Sequence, residues 1–185
     1  MARLIHLNGA PGVGKSTIAE RYVAEHPGVL NCDVDRLRCF VGGWQEAFGA
    51  TGAIIRPVAM TMIRAHLDGG HDVVLPQLLA SEDERARFRA VALEAGHAYV
   101  HILLQAPPGK ARARFYGRLD GDPLHGLIRA VVDGEGGGPV IDGLDIRLAQ
   151  TAASTREAIC VDAGADIERT YAGVLEALGA VTPSG

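Results

Sequence analysis

Residues Gly9-Ala10-Pro11-Gly12-Val13-Gly14-Lys15-Ser16 fit the spacing G-x-x-x-x-G-K-[ST] without a mismatch, and Thr17 follows. This octapeptide constrains the chain more than any other feature. Its glycines let successive backbone N–H groups curl around a polyphosphate, Lys15 reaches the outer phosphates, and the Ser16 hydroxyl is suited to Mg²⁺. Such a loop must leave a strand and open a helix, whose N-terminus adds partial positive charge to the anion site. The flanks comply. Arg3 to Asn8 is a short, mostly apolar strand candidate, and Ser16 to Glu25 places Ile18, Ala19 and Tyr22 on one helical face. Gly9, Gly12, Val13, Gly14, Lys15, Ser16 and Thr17 are therefore candidate nucleotide-binding residues, with ATP or GTP as the nucleotide.

The rest of the chain alternates strands and helices, which predicts an α/β protein with a parallel sheet and helices on both faces. Further strands are expected at Val29–Cys32, His71–Leu75, Ala98–Leu104 and Ala158–Val161. Helices are expected at Val34–Val41, Ala53–Leu67, Glu82–Ala95, Leu127–Asp133, Ile141–Thr155 and Ile167–Leu178, with another starting after Pro107-Pro108. Pro57 is placed near enough to a helix start to be tolerated. Gly42–Gly52 reads as a loop around the only tryptophan, Trp44, and Gly134–Pro139 as a flexible turn. A single domain spanning 1–185 is expected.

Composition excludes some partners. A net charge of −4 argues against nucleic acid and anionic membrane surfaces. No apolar run is long enough for a membrane span. The start of the chain lacks a charged-then-apolar leader pattern, and the three cysteines lack C-x-x-C spacing, so a cytoplasmic protein with reduced thiols is expected, as a monomer or homodimer. Its seven histidines show no metal-ligand spacing.

Asp33-Val34-Asp35 follows the second predicted strand. Ligands of an open parallel sheet bind outside the carboxyl ends of its strands, so both carboxylates are placed to face a γ-phosphate. One suits Mg²⁺, directly or through water, and the other suits accepting a hydroxyl proton. The plain alternative is that Asp35 only caps the following helix. Downstream, Arg112, Arg114 and Arg118 lie on one predicted helix. Arg114 and Arg118, four apart, share a face where like charges repel unless an anion lies between them. A triphosphate tail supplies that anion, which makes both arginines candidate catalytic residues, and Arg114 a nucleotide contact as well. Leu119 to His125 would then form a small lid spanning, with its flanks, about 112–138.

A phosphate loop after the first strand and D-x-D after the second resemble the small P-loop kinases of the shikimate and gluconate kinase type, and are similar to chloramphenicol phosphotransferase and the zeta-toxin-like ATPases. The resemblance implies a P-loop NTPase fold with strand order 2-3-1-4-5. It implies Asp35 as catalytic base, Asp33 with Ser16 at Mg²⁺, and an acceptor pocket from the region between strands two and three (about 35–70). That pocket would include Arg36, Arg38, Trp44 and Arg56, the last near a helix start. One departure stands out. Strand three ends Leu75-Pro76-Gln77 and strand four ends Leu104-Gln105, so neither carries the second acidic Mg²⁺ anchor found in many P-loop enzymes; Asp72 lies at the wrong end of its strand. Gln77 instead becomes a candidate acceptor contact. The segment Asp162–Asp166 resembles the loop that wraps the nucleotide base, through backbone contacts that discriminate poorly between ATP and GTP. The leading expectation is Mg²⁺-dependent transfer of a γ-phosphoryl group to a hydroxyl of a small molecule, either a metabolite or an antibiotic or nucleoside natural product. The alternatives are a nucleotide hydrolase and a regulatory nucleotide-binding module. A polynucleotide 5′-kinase fits poorly, since no arginine–aromatic track accompanies the acidic charge.

Overall fold

The computed structural model describes residues 1–118, 121–155 and 158–181. Its elements run β1 (Arg3–Asn8), α1 (Lys15–Glu25), β2 (Leu30–Asn31), α2 (Val34–Arg38), α3 (Phe48–Asp68), β3 (Val73–Leu75), α4 (Glu82–Leu93), β4 (Ala98–Gln105), α5 (Lys110–Tyr116), α6 (Pro123–Gly134), α7 (Gly138–Thr155), β5 (Ile159–Asp162) and α8 (Ile167–Ala180). The five strands form one sheet in the order β2-β3-β1-β4-β5, with every pairing parallel. This is the topology implied by the resemblance. Parallel pairing brings the ends of all five strands to one edge. That edge gathers the phosphate loop, Asp33–Asp35, Gln77 and the residues after Asp162.

Strand alternation divides the core. Val100, Ile102 and Leu104 of β4 join Ile5 and Leu7 of β1 against Ile18 and Tyr22 of α1 and Val174 of α8. Leu4, Val73 and Leu75 face the other way, onto Ile63 and Leu67 of α3 and Phe88 of α4. Helix α7 serves both sides. Its Ile141 packs in the first cluster, while Leu148 and Ala152 pack on Leu103.

Three expectations are corrected. First, α3 begins at Phe48, inside the predicted loop, so Pro57 and Arg56 lie well within the helix. A proline there leaves one carbonyl of the preceding turn without its helical bond. The helix persists because Ile55, Ala59, Ile63 and Leu67 bury a continuous stripe. Second, α6 starts earlier than expected. Asp122 caps it by accepting from the Leu124 amide at 3.1 Å, and Pro123 takes the first helical position, where no N–H is needed. Third, α7 starts at Gly138, so the predicted flexible turn shrinks to the residues around Gly136 and Gly137.

Candidate active site

The loop between β1 and α1 is shaped by its backbone. Gly12 holds φ 85°, and a Cβ there would stand 2.1 Å from the Ala111 carbonyl oxygen, so only glycine fits beneath α5. Gly14 holds φ 109° with nothing within 4 Å of the missing side chain, an open concavity at the start of α1. Val13 is buried beneath the loop and Thr17 is exposed. Asn8 anchors the entrance: its Oδ1 accepts from the Gly9 amide (2.9 Å) and the Leu79 amide (3.2 Å), and its Nδ2 donates to the Leu79 carbonyl (3.1 Å). Lys15 folds over the loop, donating from Nζ to the carbonyls of Gly9 (2.7 Å) and Ala10 (3.1 Å). Burial pushes the Lys15 ammonium down to about 8, with Asp35 and then Asp33 opposing the shift, Arg118 adding to it and Asp145 opposing it. Both carboxylates of D-x-D therefore act on the charge at the heart of the phosphate loop.

Asp33 divides its two oxygens. Oδ1 caps α2 by accepting from the amides of Asp35 (3.1 Å) and Arg36 (3.2 Å). Oδ2 receives the Ser16 hydroxyl at 3.4 Å. The capping role weighed for Asp35 thus belongs to Asp33. Burial raises the Asp33 carboxyl, and its two amide donors lower it. A hydroxyl and a carboxylate oxygen side by side are hard donors that fit Mg²⁺, which takes few protein ligands and completes its shell with phosphate oxygens and water. No group of three or more His, Cys, Asp and Glu able to hold a metal occurs among the described residues.

Asp35, freed from capping, is gripped by two side chains. Gln77 Nε2 donates to Oδ2 at 3.3 Å, and Arg38 Nε forms an ion pair with Oδ1 at 3.1 Å. Arg38 is fixed in turn by donating from Nη1 to the Phe48 carbonyl (2.9 Å) and by lying 4.4 Å above the Phe48 ring. Because a carboxylate only accepts, the Gln77 amide nitrogen must face Asp35; its Oε1 is buried without a hydrogen-bond partner among the described residues. Arg56 pairs with Glu84 at 3.3 Å, and its guanidinium approaches that of Arg38 across Gly52. Two candidate acceptor contacts stand apart from this group. Arg36 pairs with Asp122 at 2.6 Å, and Trp44 is half-buried in the turn between α2 and α3, its amide donating to the Val41 carbonyl (3.2 Å).

The arginines of α5 and the turn after it have separate partners. Arg114 donates to the carbonyls of Ala163 (2.7 Å) and Ala165 (2.8 Å), and Lys110 donates to the carbonyl of Gly164 between them. The loop after β5 is thereby tied to α5. Arg112 pairs with Asp142 at 2.7 Å, and Arg118 contacts His125 Nε2. The pairing of Arg114 and Arg118 through one shared anion therefore gives way, in this conformation, to one arginine on backbone and one on an imidazole. Leu119 and Asp120 of the expected lid lie outside the described residues.

Sequence reasoning missed two parts of the site. Asp145 lies in the inward stripe of α7 between Ile141 and Leu148, with a buried Oδ1 that has no hydrogen-bond partner among the described residues. Burial and then Asp142 push its carboxyl up, while Lys15 pulls it down. An acid in an otherwise apolar stripe was the available signal. The second part is a polar network inside the sheet. His6 Nε2 meets the Gln77 carbonyl at 2.9 Å and Nδ1 meets the Tyr99 hydroxyl at 2.8 Å, while the ring stacks on His101 at 4.9 Å. A carbonyl only accepts, so His6 carries its proton on Nε2 and takes the Tyr99 hydrogen on Nδ1. This network holds Gln77, and Gln77 holds Asp35.

The fold is shared with solved structures at low sequence identity. A tunicamycin resistance protein from Deinococcus radiodurans is 18% identical with a TM-score of 0.58, over 98% of this chain and 96% of its own. A gluconokinase from Sinorhizobium meliloti 1021 is 17% identical with a TM-score of 0.61, over 97% and 93%. The structure of APE1195 is 19% identical with a TM-score of 0.62, over 97% and 96%. No curated protein matches the chain in sequence. The family model AAA_33, described as an AAA domain, matches residues 4–125, a span that runs from the first strand through the phosphate loop, both aspartates and α5 into the start of α6, and the chain belongs to that family.

Proposed function

We propose that the protein is a Mg²⁺-dependent phosphotransferase that moves the γ-phosphoryl group of ATP or GTP to a hydroxyl of a small molecule. The observation that carries this reading is Asp35. It sits at the carboxyl edge of the sheet, acts on the charge of Lys15, and is oriented by Arg38 and Gln77 instead of being spent on a helix cap. Asp35 takes the proton of the acceptor hydroxyl as that oxygen bonds to the γ-phosphorus and the bond to the β-phosphate bridge breaks, releasing nucleoside diphosphate. Lys15 and Arg118 neutralise charge developing on the phosphoryl oxygens. Arg114 and Lys110 position the loop that meets the nucleotide base. Mg²⁺ at Ser16 and Asp33 would supply further charge neutralisation.

The solved relatives suggest where to look for the acceptor. One is named for tunicamycin resistance and another is a gluconokinase, so nucleoside antibiotics and polyhydroxylated metabolites are the first compounds to test. A cytoplasmic setting fits the free thiols Cys32, Cys39 and Cys160, and no helix among the described residues is long and apolar enough to cross a membrane.

The test is incubation with Mg²⁺ and ATP or GTP plus pooled sugars, sugar acids, nucleosides and antibiotics, read by mass spectrometry for one added phosphate. Asp35→Asn is expected to lower transfer by roughly 10²–10⁴-fold while leaving nucleotide affinity within about twofold. Lys15→Ala is expected to remove both. Nucleotide loss without a phosphorylated acceptor, unchanged by Asp35→Asn, would replace this reading with hydrolysis.

A further inference from the structure

Helix α7 runs beside the phosphate loop. Its Ile141 packs in the cluster that includes Ala10 and Val13 of that loop, and its Leu148 packs on Leu103. Leu103 pairs in register with Asn8, the residue that anchors the loop. Asp145 stands between these two contacts, about one helical turn from each. Strand order sets it opposite Asp35: Asp35 follows the edge strand β2, the loop follows the central β1, and α7 packs on β4 beyond it. Asp35 and Asp145 thus flank Lys15, and both act on its charge.

Asp145 has no partner of its own. The residue is half-buried, and its Oδ1 is buried with no hydrogen-bond partner among the described residues. The arginines on and beside α7 turn elsewhere. Arg112 pairs with Asp142, and Arg147 is exposed, its Nη1 3.4 Å from the place of a Cβ on Gly143. A carboxylate in an apolar stripe, three residues from the like charge of Asp142, is costly unless an opposite charge meets it. Lys15 is the opposite charge at hand, but its ammonium donates to the carbonyls of Gly9 and Ala10 and turns to the phosphates when nucleotide fills the loop. Nucleotide binding therefore leaves Asp145 beside anionic phosphates with its charge uncompensated.

We infer that Asp145 receives an ammonium group of the acceptor, carried by the same molecule whose hydroxyl Asp35 deprotonates. The inference rests on the proposed function and narrows it to hydroxylated amines: amino sugars, amino alcohols and nucleosides bearing a basic amine. An ammonium gives the carboxylate charge-assisted hydrogen bonds and cancels its charge, whereas a hydroxyl leaves the charge in place and an acid group adds to the repulsion. With Asp35 on one side of Lys15 and Asp145 on the other, such an acceptor is fixed at two points about the γ-phosphate.

The experiment is calorimetric titration of the full chain with saturating Mg²⁺ and ADP, so that Lys15 is engaged by phosphate. The probes are glucamine, sorbitol and gluconate, which share a hydroxylated carbon chain and differ in one terminal group: ammonium, hydroxyl or carboxylate. Glucamine is expected to bind most tightly. Asp145→Asn is expected to weaken it by roughly tenfold or more and to leave sorbitol unchanged. ADP affinity is expected to hold or rise, since a negative charge near the phosphates is removed. The melting temperature of Asp145→Asn is expected to hold or rise as well, because an unpaired charge close to Asp142 is gone. A lower melting temperature would assign Asp145 to the fold, and weakened Mg²⁺ binding to the ADP complex would assign it to the metal; either overturns the inference. Equal glucamine affinity in the two proteins, or no preference for glucamine over sorbitol and gluconate, overturns it too. Transfer is read separately. Acceptors without a basic nitrogen, phosphorylated at rates that Asp145→Asn does not lower, would overturn the ammonium contact and leave the proposed function standing. Glucamine binding that depends on Asp145, without transfer to any acceptor, would do the reverse.

Discussion

The two halves of the site are built by different means. On the phosphate side, the loop from Gly9 to Ser16 works through its backbone: positive φ at Gly12 and Gly14, an anchor at Asn8, and the start of α1. On the side proposed for the acceptor, Asp35 is held by side chains from α2 and from just after β3. A backbone cradle needs particular residues in an unbroken row. A side-chain cradle needs only that the fold bring suitable groups together, so many sequences satisfy it. A site of the first kind is tied to its residues, whereas one of the second kind can vary on a single fold.

The sharpest way to break this contrast is to add one methyl group to each side. Gly12→Ala puts a Cβ 2.1 Å from the Ala111 carbonyl and 2.9 Å from Phe115 Cβ, at φ 85°. Backbone strain alone costs about 1–3 kcal/mol, and the clash with α5 adds to it. A fall in melting temperature of roughly 5–15 °C is expected, measured by thermal denaturation. Gly52→Ala, with no positive φ and with its Cβ 3.1 Å from the end of a side chain, Arg38 Nη2, should produce a smaller fall. If both glycines behave alike, the distinction between backbone-built and side-chain-built halves fails.

The next effect concerns what stands behind the acceptor side. Burial pushes His6 down to about 3, and burial with the nearby Arg85 pushes His101 down to about 4. Both are neutral in the folded protein at neutral pH. The unfolded chain binds protons at these positions below about pH 6.5, so their stability contribution is complete above that value and is lost as pH falls towards 4 and then 3. His101→Phe removes one of the two protons. The slope of unfolding free energy against pH should shrink by up to about 1.4 kcal/mol per pH unit between 6.5 and 4, read by urea denaturation at stepped pH. An unchanged slope would show that His101 is not a group whose protonation the fold excludes.

The same contrast governs what could be read in the sequence. The phosphate loop was legible because its chemistry is contiguous, and D-x-D because two residues after a strand suffice to place it at the sheet edge. The strand order came from resemblance to a family and is borne out by the pairing of β1 with both β3 and β4. The hydrogen bond from Gln77 to Asp35 spans 42 positions, and His6 meets His101 only through the register of β1 on β4. Neither has a local signature. Helix α3 contains Pro57, as expected, but starts five residues before Ala53, because a buried stripe outweighs the glycines of its first turn. Asp33 as the cap was missed because capping depends on which residue first turns helical, a boundary that sequence patterns locate poorly.

Arg36 marks where the two halves meet, and it is expected to give the smallest effect. It lies between the aspartates' helix and α6, pairing with Asp122 Oδ2 at 2.6 Å with 54% and 33% of the two side chains exposed. An ion pair so open to water contributes at most about 1 kcal/mol. Asp122 also caps α6 through Oδ1, so Asp122→Ala would confound loss of charge with loss of the cap. Asp122→Asn keeps a capping oxygen and removes the charge. A cycle of Arg36→Ala, Asp122→Asn and the double variant should give a coupling of up to about 1 kcal/mol that falls as salt rises. In a transfer assay, a strap role predicts that both single variants shift turnover in the same direction and that the double variant adds little. A role for Arg36 on the acceptor predicts instead a raised acceptor KM in Arg36→Ala that Asp122→Asn does not share. The cycle thus decides whether Arg36 belongs with Arg38 and Arg56 or ties the acceptor side to the helix that follows the phosphate side's arginines.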